Sequence, residues 1–127
     1  MADKIVQLKD GNESAYPVAI KTISNSNGTA LKFADGTMIC MGKATVSSNF
    51  VQWDTMYSCD LSNVANFPVA FIDVPVLNVN VGRGSAQNCW IARCSATNTK
   101  IEGTTIVRPN GNNGNIVLNY IAIGRWK

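Results

Sequence analysis

The sequence predicts an all-β protein, an antiparallel β-sandwich, from three observations. No segment places apolar residues at i, i+3, i+4 and i+7 over three helical turns, which removes the helix as the main element. Asn, Ser, Thr and Gly recur every few residues and cut the chain into short β-branched and apolar runs, the pattern of a sandwich or barrel. The 127 residues, 46% hydrophobic and 15% charged, suffice for one core and are too few for two ordinary domains.

Residues 1–27 differ in character from the rest and read as an amino-terminal attachment arm and linker. Lys4-Ile-Val-Gln-Leu8 and Tyr16-Pro-Val-Ala-Ile-Lys-Thr-Ile23 make two short strands around the polar Lys9-Asp-Gly-Asn-Glu-Ser14. Ser24-Asn-Ser-Asn-Gly28 then leads into a main domain over residues 28–127. An arm this small buries no core of its own and is expected to dock on another surface.

Asp35-Gly36 is the strongest local signal: flanked by extended residues, it is expected to supply the positive φ angles of a tight hairpin turn. A strand over residues 37–46 leaves that turn. Residues 50–53 and 56–59 read either as one longer irregular strand or as two short ones. Pro68 and Pro75 remove ladder donors, so the segments around Phe67 and Phe71 belong at strand starts, edges or bulges. Leu77-Asn-Val-Asn-Val81 alternates as a half-buried strand should, and residues 82–85 turn the chain into a strand over 89–96. A further strand follows over residues 100–107. Residues 108–115, rich in Asn and Gly with Pro109, form a loop.

The strand from residue 116 onward carries Ile116, Leu118, Tyr120, Ala122, Gly124 and Trp126 on one face and Val117, Asn119, Ile121, Ile123 and Arg125 on the other. Both faces are largely apolar, whereas the outer face of a sandwich strand should be polar. The second face therefore calls for a partner surface, most economically another copy of the chain, with Val117, Ile121 and Ile123 in the interface.

Several function classes lose support on composition. The net charge of +3 comes from basic residues scattered along the chain, which is no footprint for nucleic acid. No run approaches the roughly 20 apolar residues of a membrane helix, so no membrane insertion is expected, and the first residues lack the apolar centre of a signal peptide. The four cysteines then read as reduced, mostly buried thiols; with no histidine and only Cys89 and Cys94 close together, no metal site and no cofactor is expected. Nucleophilic catalysis lacks its usual base. Among Asp10, Glu13, Asp35, Asp54, Asp60, Asp73 and Glu102 no pair is marked out for carboxylate hydrolysis, so the chain is expected not to be an enzyme and to have no catalytic residues.

Four segments carry a resemblance. Gly28-Thr-Ala-Leu-Lys-Phe-Ala-Asp-Gly-Thr-Met-Ile-Cys40, Asn66-Phe-Pro-Val-Ala-Phe71, Trp90-Ile-Ala-Arg93 and Tyr120-Ile-Ala-Ile-Gly-Arg-Trp126 occur in the order found in the carboxy-terminal receptor-binding domains of bacteriophage tail-fibre and baseplate proteins. The terminal Ile-Gly-Arg-Trp is the most specific of them, and residues 28–127 resemble that family at the level of pattern. The first residues, up to Gly11 with Tyr16-Pro17 after them, resemble arms that join phage structural proteins to the particle.

The resemblance implies a lectin-like sandwich of the H-type kind with six to nine strands, assembled as a homotrimer. It further implies a phage or prophage tail-tip protein, put together in the host cytoplasm, carried on the virion tail and joined through its arm to other tail or baseplate proteins. Its ligand would be a bacterial surface saccharide. The alternative is a non-catalytic structural tail or baseplate protein with an assembly role and no glycan binding. For a saccharide, Trp53, Asp54, Tyr57, Trp90 and Arg93 are the candidate ligand-binding residues, because rings stack on sugar faces and polar groups fix hydroxyl orientation. Each has a plainer reading: Trp90 between Cys89 and Ile91 suits a core. Trp53-Asp54 is as suited to binding as to structure, because a strand end displays its side chains on a rigid scaffold. The amides of residues 110–115 suit either a sugar or a solvated turn.

Overall fold

The computed structural model describes residues 7–9, 15–17, 19–82 and 89–127. These residues form strands and no helix, arranged in two larger antiparallel sheets and one small pair. The pair joins β1 (Gln7–Lys9) to β2 (Ala15–Pro17).

One large sheet has five strands in the order β3-β4-β5-β11-β8, built from Ala19–Asn25, Gly28–Phe33, Thr37–Ser47, Asn115–Arg125 and Val76–Val81. The other has four in the order β6-β7-β10-β9, built from Val51–Trp53, Met56–Asn66, Lys100–Arg108 and Trp90–Ala96. The two pack face to face, as the all-β sandwich reading requires.

Period-2 alternation decides which side chains enter the core, except in β10, where the register shift between Ile101 and Gly103 switches the parity. In β11, Ile116, Leu118, Tyr120 and Ala122 are buried; in β10, Ile101, Thr104, Ile106 and Arg108 are, and β5 contributes Met38 and Cys40. Each fully buried Ile, Leu, Phe or Met side chain stabilises the fold by about 1.5–3 kcal/mol relative to leaving it in water. Buried Arg108 places its guanidinium 5.4 Å from the Phe50 ring centre and donates from Nη1 to the Asn112 carbonyl at 2.8 Å.

Three sequence expectations need correction. The segment 24–28 is the tip of a hairpin rather than a linker: Ser26 and Asn27 turn between β3 and β4, β3 pairs with β4 along its length and half-buried Ile23 packs on the core, so the five-stranded sheet begins near residue 19 and not at 28. The remainder of the arm, residues 1–6, 10–14 and 18, lies outside the described residues, as does most of the expected turn at 82–85. Secondly, only Gly36 of the Asp35-Gly36 pair takes positive φ, at 95°. The turn is closed from Gly36 N to Phe33 O at 3.1 Å, and the Asp35 carboxylate accepts from Thr37 N at 2.8 Å. That bond from the Thr37 amide holds the exposed Asp35 carboxyl below its usual range.

The third correction concerns residues 67–75, which form no strand. Phe67 and Phe71 are nevertheless core residues, ring edge to ring face with centres 5.2 Å apart. Pro68 and Pro75 take the segment out of the ladders, and single bonds from Phe67 N to Thr99 O and from Phe71 N to Asn98 O anchor it instead.

All four cysteines are free thiols, with Cys40 and Cys59 buried and Cys89 and Cys94 half-buried. Burial pushes the Cys40 thiol from 9.0 up to about 11, outweighing its bond to the Val69 carbonyl. Between those values the unfolded chain releases a proton that the folded chain keeps, so this stabilisation is complete below pH 9 and is lost as pH rises to about 11. The urea midpoint is expected to fall across that window, and to fall less steeply in Cys40→Ala. Equal slopes in the two proteins would exclude this cause.

Candidate functional site

The outer face of the four-stranded sheet carries the candidate site. The β6–β7 hairpin turns at Asp54, whose φ of 56° lies in the left-handed region that Asp tolerates, and this tight turn sets Trp53 opposite Met56. From there the register lays rows across the sheet. Val51, Ser58, Val107 and Trp90 form one row; Asp60, Thr105 and Arg93 form the next; Ser62, Gly103 and Ser95 form a third.

The pairing of β10 with β9 slips between Thr105 and Ile106, so that Ala92 is an extra residue on β9. A bulge of this kind re-aims the side chains on either side of it. Trp90 and Arg93, three residues apart and bound for opposite faces of a regular strand, here sit beside Val107 and Thr105 on one face.

A cavity of about 390 Å³ opens on this face, lined by Trp53, Ser58, Asp60, Ala92, Arg93, Thr105 and Val107. Its polar side is a relay: Arg93 Nε donates to Thr105 Oγ1 at 3.0 Å, and Thr105 Oγ1 donates to Asp60 Oδ1 at 2.5 Å. The relay fixes three side chains while leaving the terminal guanidinium N–H groups and the second Asp60 oxygen without a hydrogen bond to the described residues. Trp53, 65% exposed, supplies a broad aromatic wall. Donors, acceptors and an aromatic face thus converge on one depression.

Of the five residues expected to bind ligand, Trp53 and Arg93 line this cavity. Trp90 lies on the same face at 50% exposure, which removes the core reading for it, though it is not in the cavity wall. Asp54 stays in the hairpin turn, exposed and away from the wall. Tyr57 points to the other side of β7, where it packs on the core and closely faces Gly111. Sequence reasoning missed Asp60 and Thr105 as site residues, since their roles depend on a register between β7 and β10 that spans 45 positions.

Among the described residues, no three His, Cys, Asp or Glu side chains gather as a metal site would require, and no helix is long and apolar enough to cross a membrane. No protein-family model matches the sequence, and no curated protein matches it. Solved structures do. The chain is similar to a carboxy-terminal piece of the P. aeruginosa R1 pyocin fibre, with 24% identity and a TM-score of 0.50 over 84% of this chain and 29% of that one. It is equally similar, at 24% identity and a TM-score of 0.50, to an N-truncated R1-type pyocin tail fibre, covering 84% of this chain and 88% of that one. The chain shares its fold with the matched parts of these pyocin fibres.

The tail-fibre resemblance read from residues 28–127 therefore has its counterpart in three dimensions. This chain spans less than a third of the longer pyocin fibre piece, with 29% of that chain covered.

The opposite outer face of this pyocin-like sandwich, on the five-stranded sheet, differs in chemistry. Leu31, Ile39, Ile123 and Val76 align across four strands, and the neighbouring row sets Met41 beside Ile121. Ile121 and Ile123 remain 41% and 45% exposed and Val76 79%, while Val117 is half-buried further along β11. The face is not apolar throughout: Thr29 and Asn78 end the second row, and Lys43, Asn119 and Asn80 form a polar row beyond it. Its apolar part is the patch around Ile39, Met41, Ile121, Ile123 and Val76, a chemistry absent from the relay of the other outer face.

Proposed function

We propose that this chain is a phage or prophage tail-tip module that recognises a bacterial cell-surface saccharide on its four-stranded sheet and assembles as a homotrimer through its five-stranded sheet. The observation that carries the saccharide reading is Trp53 standing over a cavity whose polar side is the Arg93–Thr105–Asp60 relay. Sugar hydroxyls both donate and accept, so a carboxylate beside a guanidinium matches them, and the C–H face of a pyranose suits an indole wall. Asp60 is the sole carboxylate lining that cavity among the described residues, and hydrolysis of a glycosidic bond calls for two. Binding without catalysis and without a cofactor is the reading this favours.

The trimer reading is supported by the apolar row on the other outer face, since a sheet with two apolar faces needs a second burial surface. The β1–β2 pair, hydrogen-bonded only to itself among the described strands, supports attachment to other tail or baseplate proteins, because an isolated two-stranded hairpin is marginally stable in water. On this reading the protein resides on the virion tail after assembly in the host cytoplasm.

The test is a glycan array followed by titration calorimetry on the sugars that bind. Trp53→Ala and Arg93→Ala, both at exposed positions, are expected to weaken binding by about tenfold or more, a loss of about 1.4 kcal/mol each, with the melting temperature unchanged. A wild-type protein that binds no saccharide overturns the reading and leaves the structural tail role in its place.

A further inference from the structure

The relay has two sides. Beyond it, on the same outer face, lies a second depression of about 190 Å³ lined by Asp60, Leu61, Arg93, Cys94, Ser95, Gly103, Thr104 and Thr105. Asp60, Arg93 and Thr105 belong to both depressions, so these three hydrogen-bonded side chains form a ridge with a hollow on either flank.

The hollows differ in kind. The larger has the indole of Trp53 as a wall and Ala92 and Val107 beside it. The smaller is set by Gly103 and its neighbour Ser95, with no aromatic ring. At about 190 Å³ it is below the roughly 300 Å³ at which ligand pockets ordinarily begin, so it suits an extension of a ligand already held next door. A ligand confined to the larger hollow meets one flank of the ridge only. One that crosses it meets both.

We infer that the ligand is a saccharide chain of at least two units lying across the Asp60–Thr105–Arg93 ridge, with one unit against Trp53 and the next over Gly103. This rests on the saccharide reading of the same face. Gly103 is what opens the second hollow: a Cβ there would meet Ser95 Oγ at 3.2 Å and the Leu61 carbonyl at 3.6 Å, a fit that needs only a small shift of a serine side chain. Its φ is not in the left-handed region, so a β-branched residue is acceptable in the strand. Gly103→Ala places a methyl in the hollow at the cost of that shift alone, and Gly103→Val fills it further at a position beside the register shift between Ile101 and Gly103, which is why its fold is verified by its melt.

The experiment is an array printed with each sugar both as a single unit and as its chain of two to six units, probed with the full chain, Gly103→Val and Trp53→Ala. The expected result is that chains bind about tenfold or more tighter than single units. Gly103→Val should then reduce chains to the single-unit level and leave single units unchanged, while Trp53→Ala weakens both. Calorimetric melts of each variant verify the fold. If single units bind as tightly as chains and Gly103→Val changes neither, the ridge-crossing inference is overturned while saccharide recognition stands. If the wild type binds no probe of any length, both fall together.

Discussion

Ile121→Glu is expected to leave a folded monomer where the wild type sediments as a trimer. Position 121 is 41% exposed in the isolated protomer, so the substitution should change the stability of the monomer by about 0.5 kcal/mol or less. In an assembly that covers the outer face of the five-stranded sheet, the same carboxylate would lose its water with no cationic side chain opposite it in the cross-strand register, where Met41 and Asn78 flank position 121. An unpaired buried charge costs several kcal/mol. Each 1.4 kcal/mol is about a factor of ten in association, so assembly should weaken by about a thousandfold or more. Sedimentation velocity at micromolar concentration reads the mass and circular dichroism verifies the fold. A trimer that persists in Ile121→Glu would move the contact to a different face, whereas a wild-type monomer would remove the assembly proposal altogether.

Phe71→Ala is expected to destabilise the protein by about 3–5 kcal/mol, the usual cost of emptying a buried phenylalanine site. That is a large part of the about 5–15 kcal/mol that holds a domain of this size together. Phe71 is fully buried, gives Phe67 its edge-to-face partner at 5.2 Å, and is flanked by β11 at Gly124, where an added Cβ would come within 2.8 Å of the ring. The site cannot readily collapse, because the ladder between β11 and β5 fixes the Gly124 backbone. At roughly 4 °C per kcal/mol, the melting temperature should fall by about 12–20 °C at matched protein concentration. A fall of a few degrees would mean that the 67–75 segment is dispensable to the core.

Period 2 is the part of this fold that local residues encode, and β11 illustrates it. Its two faces were separable by position alone, and Ile116, Leu118, Tyr120 and Ala122 are the buried set. Where alternation breaks down, reading from sequence becomes difficult. The β6–β7 hairpin turns on Asp54-Thr55 with no glycine, so nothing local separates two strands from one irregular strand. Leu61-Ser-Asn-Val-Ala-Asn66 carries no local signal that assigns it to a strand, yet it extends β7, because β10 offers hydrogen bonds as far as Lys100 opposite Asn66. Pairing partners far away in sequence override weak local preference.

The candidate site shows the same division. Trp53 and Arg93 were nameable as residue types suited to sugars, and both line the cavity. Tyr57 was equally suitable by type, and a strand position of opposite parity turns it inward. Trp90 and Arg93 share a face only because Ala92 bulges, and a bulge leaves no mark in a single sequence. Asp60 and Thr105 look like ordinary strand surface until the register sets them side by side.

The position of β11 between β5 and β8 also governs when this sheet can exist. Residues 115–125 are made after both of the strands they join, so until they emerge from the ribosome β5 and β8 have no neighbour between them and each presents an open edge. The nascent chain must keep these edges from pairing with other copies, which is the hazard of sheets closed by long-range strands. Folding is therefore a late event completed by a single insertion. Conditions that favour association of the unfinished chain over that step, such as high expression, should send it toward aggregates before its native state is reached.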